Sequence, residues 1–175
     1  MAIEIPEREP CPYCENLAGR FSESAGSPPV VFEDAELMVF LAPAPLGGMP
    51  GHSLVIPKRH VVTIFDLTME EEALLAHATA TTARVVRDVL DPDGLVVLQR
   101  NGRAAEQTVA HVHFHVVPRR DGTPFPPTEW VDTMPHSDRM RWAELLRSAW
   151  PGAPSGRRPG GAGGSRRPPP EGSCG

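Results

Sequence analysis

At 175 residues the chain has room for one ordinary domain with an appendage and a sizeable core, and is too short for two full domains. A net charge of −5, with 40% hydrophobic and 22% charged residues, argues against both a disordered polymer and a broadly cationic nucleic-acid binder, so no specific nucleic-acid partner is expected. No apolar run matches a bilayer's thickness, and the N-terminus lacks the basic start and apolar middle of a signal peptide; a cytoplasmic protein with no membrane partner is expected.

The chain opens with Cys11-Pro12-Tyr13-Cys14, a spacing that suggests metal or redox chemistry; three cysteines are too few for a secreted disulfide scaffold. Val30-Val31-Phe32 and Leu37 to Leu41, separated by the polar turn Glu33 to Glu36, predict a hairpin. A Pro/Gly-rich loop from Pro43 to Gly51 leads into a third strand, His52 to Ile56, closed by Pro57. Thr68 with Glu71 three residues later is a capping-box signature, and Leu75, Thr82, Val85, Val86, Val89 and Leu90 carry the apolar face of one long helix to Asp91-Pro92. Gly94 to Gln99 and Val109 to Val117 supply two more strands, and Ser137 to Trp150 a short C-terminal helix. Strands in series around one long helix make the fold class α+β.

From Pro151 onward, 14 of 25 residues are Gly or Pro and none is a large apolar residue, so residues 1–150 form the domain and 151–175 a disordered tail. The tail's Arg157, Arg158, Arg166 and Arg167 read as a solubilising extension.

The most informative stretch is His111-Val112-His113-Phe114-His115-Val116-Val117, in which strand alternation puts three imidazoles on one face and apolar groups on the other. Histidine has no special strand preference, and each buried ring nitrogen needs a partner, so structural filler explains this poorly. As a metal rack the trio is awkward: at ~3.3 Å per residue its ends stand ~13 Å apart, too far for all three to converge on ~2.1 Å bonds. Alternatively the middle ring is a nucleophile toward phosphorus, oriented and charge-balanced by its neighbours.

These histidines, with Gln107-Thr108-Val109 before them and Pro118-Arg119 after, and with Gly51-His52-Ser53-Leu54-Val55-Ile56-Pro57-Lys58-Arg59-His60 and Asn101-Gly102 upstream, resemble the signature of the histidine triad (HIT) family of nucleotide hydrolases and transferases. The resemblance covers roughly Cys11 to Arg120. It implies a five-stranded antiparallel sheet, a homodimer, and hydrolysis of a nucleoside phosphoramidate or dinucleoside polyphosphate through a covalent nucleotidyl-histidine intermediate. By position, His113 would be the nucleophile, His115 would contact the phosphate and His52 would fix ring orientation. Thr108 would help protonate the leaving group, with Gln107 and Asn101 near the phosphate. The alternative is a non-catalytic nucleotide- or phosphate-binding module.

The cysteine pair also resembles a glutaredoxin redox motif, but Glu7-Arg8-Glu9-Pro10 precedes it where that motif follows an apolar strand. Zinc-bearing bacterial members of the triad family imply instead a structural zinc on Cys11, Cys14, His60 and His111, a closed tetrahedral donor set. Free thiols are the simpler reading of the pair. Three departures from the family stand out: Ala42 in place of a ribose-binding Asp, Glu106 in place of a small glycine, and Thr108 in place of a serine. His77 in the helix and His136 in a polar loop read as solvated, Trp130 as a packing residue or a lid, and Trp142 and Trp150 as core or dimer contacts.

Overall fold

The computed structural model describes residues 3–6, 10–20, 26–46, 48–125 and 133–153. The expected tail from residue 154 and Trp130 lie outside them. Strands β1 (Val30–Glu33), β2 (Leu37–Leu41), β3 (Ser53–Pro57), β4 (Gly94–Gln99) and β5 (Phe114–Arg119) form one antiparallel sheet in the order β1-β2-β3-β5-β4. Helices α1 (Pro12–Leu17), α2 (Met69–Leu90) and α3 (His136–Ser148) complete an α+β fold with one long helix.

Local chemistry sets the element ends. At the β1–β2 turn, Asp34 Oδ1 accepts the N–H groups of Glu36 and Leu37, both at 2.9 Å, which fixes the hairpin register. Thr68 Oγ1 accepts the Glu71 N–H at 3.3 Å while the Glu71 carboxylate accepts the Thr68 N–H at 2.9 Å, so the capping box forms in both directions. The helix stops at Asp91, in the left-handed region at φ 45°, just before Pro92.

Alternation along the strands gives the sheet two unlike faces. Val31, Val39, Val55 and Val112 join Leu75, Val86 and Leu90 of α2, and Leu146 and Trp150 at the chain's C-terminal side, in the main core. Phe32 stacks on Trp150 with ring centroids 4.5 Å apart. The opposite face carries Met38, Phe40, Ala42, Leu54 and Ile56, and among the described residues Tyr13, Leu17 and Val30 pack against it. That face holds the candidate site.

Two expectations need correction. The last strand begins at Phe114 and continues through Pro118 to Arg119, so residues 109–113 are irregular. Their donors go elsewhere: the His111 N–H to the Val109 carbonyl at 2.8 Å and the Val112 N–H to the Val61 carbonyl at 2.6 Å. Pro118 is tolerated because β3 pairs with β5 only as far as Val116, leaving no neighbour on that side to require its N–H. His136, expected in a polar loop, is the first residue of α3 and half-buried. The short α1 that carries the cysteine motif was not legible in the hydrophobic pattern.

Candidate functional site

The N-terminal end of the site is the cysteine motif. Pro12 opens α1 at the position where a missing N–H costs least, and the helix brings Cys11 and Cys14 against the segment after β3 and the segment before β5. Cys11 Sγ lies 3.5 Å from His111 Nδ1; Cys14 Sγ lies 3.7 Å from the same nitrogen and 3.2 Å from His60 Nδ1. Donor atoms of these four residues all fall within 4.8 Å of one another. A tetrahedron built on Zn–S bonds of ~2.3 Å and Zn–N bonds of ~2.0 Å has S–N edges of about 3.5 Å, which these separations match. The His111 Nε2–H donates to the Pro57 carbonyl at 2.9 Å, so the Nδ1 lone pair points at the sulfurs, as a metal ligand requires. Two thiols and two imidazoles fit zinc, and Cys11, Cys14, His60 and His111 are close enough to hold it. Bound there, zinc would fasten the N-terminal segment to the sheet.

The remaining histidines form a relay on the same face. His52 donates from Nδ1 to the Ala44 carbonyl at 2.7 Å, which leaves its Nε2 to accept the His115 Nδ1–H at 2.9 Å. His113 donates from Nδ1 to the His111 carbonyl at 2.7 Å, so Nε2 is its unprotonated atom; these tautomers follow from the hydrogen-bond network. The His113 and His115 rings meet edge to face with centroids 4.8 Å apart. Burial pushes His52 down to about 4, outweighing the opposing Ala44 carbonyl. Burial, then the charges of His52, His113 and Arg100, push His115 down to about 2. His113 is lowered by burial too, with its carbonyl partner working against the shift and Arg100 adding to it. A set of imidazoles held neutral with defined tautomers can supply a nitrogen lone pair as a nucleophile.

Asn101 and Gln107, expected near the phosphate, both hydrogen-bond within the protein. Asn101 Oδ1 accepts the Ile64 N–H at 2.9 Å, and its amide also pairs with Gln99. Gln107 is buried, with Oε1 accepting the Gly102 N–H at 2.7 Å and Nε2 donating to the Val62 and Val109 carbonyls at 2.8 and 3.0 Å. Their amides hold the loop that delivers the histidines. Thr108 is exposed and lines a cleft of about 1160 Å³ whose walls include Tyr13, Phe40, Leu54, His136 and Arg139. Tyr13, on the cleft wall, has its ring 5.3 Å from that of His113 and 5.7 Å from that of His111.

Two residues escaped the sequence reading. Tyr13 could have been found from its place inside the cysteine motif. Arg100 is visible only through strand register, because Gln99 pairs with Phe114 and the next residues outward are Arg100 and His113.

The chain belongs to the HIT domain family, whose model matches residues 27–122. It is 33% identical over 141 residues, 80% of this chain and 92% of the relative, to an uncharacterized HIT-like protein of Mycobacterium tuberculosis. It is 36% identical over 111 residues, 63% of this chain and 72% of the relative, to the protein named hit of Bacillus subtilis. A crystal structure of a Zn-bound histidine triad family protein from Mycobacterium smegmatis superposes with a TM-score of 0.67 at 34% identity, covering 81% of this chain and 93% of that one. Shorter matches reach a bis(5'-adenosyl)-triphosphatase of Dictyostelium discoideum, 42% identical over 72 residues (41% of this chain, 48% of the relative). Another reaches an adenosine 5'-monophosphoramidase of Schizosaccharomyces pombe, 39% identical over 87 residues (50% and 61%).

Proposed function

We propose that the protein is a hydrolase of nucleotide substrates that cleaves a nucleoside phosphoramidate or a nucleotidyl phosphoanhydride, such as a dinucleoside polyphosphate, through His113. The observation that carries this reading is the buried His113 ring, whose Nδ1–H is held by the His111 carbonyl at 2.7 Å so that Nε2 keeps a lone pair. Nε2 attacks phosphorus, the bond from phosphorus to the leaving group breaks, and the electron pair departs with that group. Water then attacks the phosphorus of the nucleotidyl-histidine, releasing a nucleoside monophosphate and the free imidazole. His115, oriented through His52, packs against the His113 ring and stands beside the phosphate that this ring attacks. The Thr108 hydroxyl, exposed at the cleft, relays a proton from solvent to a leaving nitrogen. The relatives named bis(5'-adenosyl)-triphosphatase and adenosine 5'-monophosphoramidase support the two substrate classes.

A homodimer is part of this reading: β4 is an edge strand that exposes Val97, a surface a second copy would cover. Among the described residues no helix is long and apolar enough to cross a membrane, which accords with a cytoplasmic site of action. The alternative, a nucleotide-binding module without turnover, draws on Ala42, which sits opposite His52 and offers the cleft no carboxylate.

A single-turnover assay with a fluorogenic adenosine phosphoramidate separates the two. The enzyme gives a burst of leaving group and an acid-quenched, mass-detectable adduct on His113, and His113→Ala loses at least about 10³-fold in turnover while still folding. Tight binding with neither burst nor adduct establishes the module.

A further inference from the structure

Arg100 follows β4 at the end of the ladder where His113 precedes β5. β4 and β5 pair antiparallel through Leu98↔His115 and, last, Gln99↔Phe114, so Arg100 and His113 are the next residues outward, and alternation along β4 gives Arg100 the face of Leu98, whose partner is His115. The guanidinium is close enough for its charge to act on both rings, disfavouring their protonation. It is not committed to the fold: its partners are the Glu106 carboxylate at 2.6 Å and, weakly, the Glu106 carbonyl at 3.4 Å. The Arg100 side chain is 29% exposed and that of Glu106 76%, so the pair is a surface ion pair, which costs about 0–1 kcal/mol to exchange for another anion. Glu106 holds its place in the left-handed region at φ 60°, where a non-glycine residue is disfavoured.

We propose that Arg100 binds the departing phosphate when His113 attacks, so that the substrate is a nucleotidyl phosphoanhydride rather than a phosphoramidate, with Glu106 as the internal counter-ion that this phosphate displaces. This rests on the hydrolase reading above and narrows it. The His113 Nε2–P bond forms as the bridging P–O bond breaks, and the electron pair stays on the departing phosphate oxygen. That oxygen leaves as an anion and needs no proton, only a positive charge beside it. A guanidinium supplies the charge but gives up no proton in a protein, so it does nothing for an amine leaving group, which departs only once protonated. Arg100 therefore favours anhydride cleavage selectively.

The test compares wild type, Arg100→Gln and Glu106→Gln on diadenosine triphosphate and on the fluorogenic adenosine phosphoramidate. Binding of AMP and of adenosine 5'-methylenediphosphate, which cannot be cleaved at the bridge, is measured in parallel by calorimetry. Loss of a charged hydrogen bond worth about 2 kcal/mol lowers the anhydride-to-phosphoramidate ratio of kcat/KM about 30-fold in Arg100→Gln. The same variant should abolish a roughly tenfold preference for the diphosphate analogue over AMP, and Glu106→Gln should enlarge it. A fall of both activities in equal proportion, with the binding preference intact, would mark Arg100 as merely structural and overturn the proposal. An unchanged ratio and equal binding of the two nucleotides overturn it as well. If wild type cleaves neither substrate but binds the diphosphate analogue more tightly through Arg100, anionic recognition stands and the hydrolase reading falls.

Discussion

His113 donates its Nδ1 proton to the main-chain carbonyl of His111, at 2.7 Å. His111 thus acts twice: its ring faces Cys11 and Cys14 as a metal ligand, and its carbonyl sets the tautomer of the neighbouring imidazole. Whatever fixes the His111 backbone fixes the His113 ring.

Metal content and turnover should therefore move together. Purified protein is expected to hold one zinc per chain. At free zinc a thousandfold above Kd, the metal adds about 4 kcal/mol to stability, which Cys11→Ser, Cys14→Ser or chelation removes. Chelated protein should lose activity through misplacement of His113 and regain it when zinc is returned. Atomic absorption beside a thermal melt checks this; protein purified from zinc-replete medium with far less than one equivalent of metal rejects the site.

The His52–His115 pair sets a pH dependence whose sign follows from burial. An unfolded histidine takes up its proton near 6.5, whereas folded His52 holds off until about 4 and His115 until about 2. Between those limits the unfolded chain binds more protons, so stability is complete above pH 6.5 and declines as pH falls below it. The slope approaches about 1.4 kcal/mol per pH unit for each ring. Ring-proton NMR at saturating zinc should show both imidazoles neutral down to pH 5. A midpoint near 6.5 for either ring would contradict the relay geometry.

The periodic part of the sequence located the fold well. The capping box at Thr68 and Glu71, the Asp91-Pro92 stop and the strands around Leu37 to Leu41 and Ser53 to Pro57 are local signals, and tertiary packing did not override them. The stretch before Phe114 misled because alternation of His and Val looks the same whether the backbone pairs with a strand or with a loop. Here the buried Gln107 amide and the Val61 carbonyl take over residues 107–112. The resemblance to zinc-bearing members of the family implied the four zinc donors, and the structure brings them together. The protein contacts of Asn101 and Gln107, and the place of Arg100 just beyond the last β4–β5 pair, depend on register and loop closure, which no local pattern encodes.

Gly51 allows the loop before β3 to turn beneath the end of α2. Its φ of +100° is a region that side chains rarely adopt, and an added Cβ would lie 2.2 Å from Leu90 Cδ1. Gly51→Ala should cost about 2–4 kcal/mol through combined strain and overpacking, and should shift His52, the next residue. Urea denaturation with an unchanged m-value measures the loss. A cost below about 0.5 kcal/mol would mean that the turn relaxes freely.

Tyr13 joins the zinc motif to the cleft. Set between the two cysteines, its ring packs edge-on against Phe40 at 5.6 Å, His111 at 5.7 Å and His113 at 5.3 Å, screening the imidazoles from the open side of α1. Each such aromatic contact contributes about 0.5–1.5 kcal/mol beyond the area it buries. Tyr13→Ala should keep its zinc, because Cys11, Cys14, His60 and His111 are untouched, but should lose about 3 kcal/mol of stability and raise KM about tenfold as the cleft wall opens. Metal analysis alongside steady-state kinetics distinguishes the alternatives: loss of zinc in Tyr13→Ala would make the ring a brace for the metal knuckle, and an unchanged KM would remove it from the cleft.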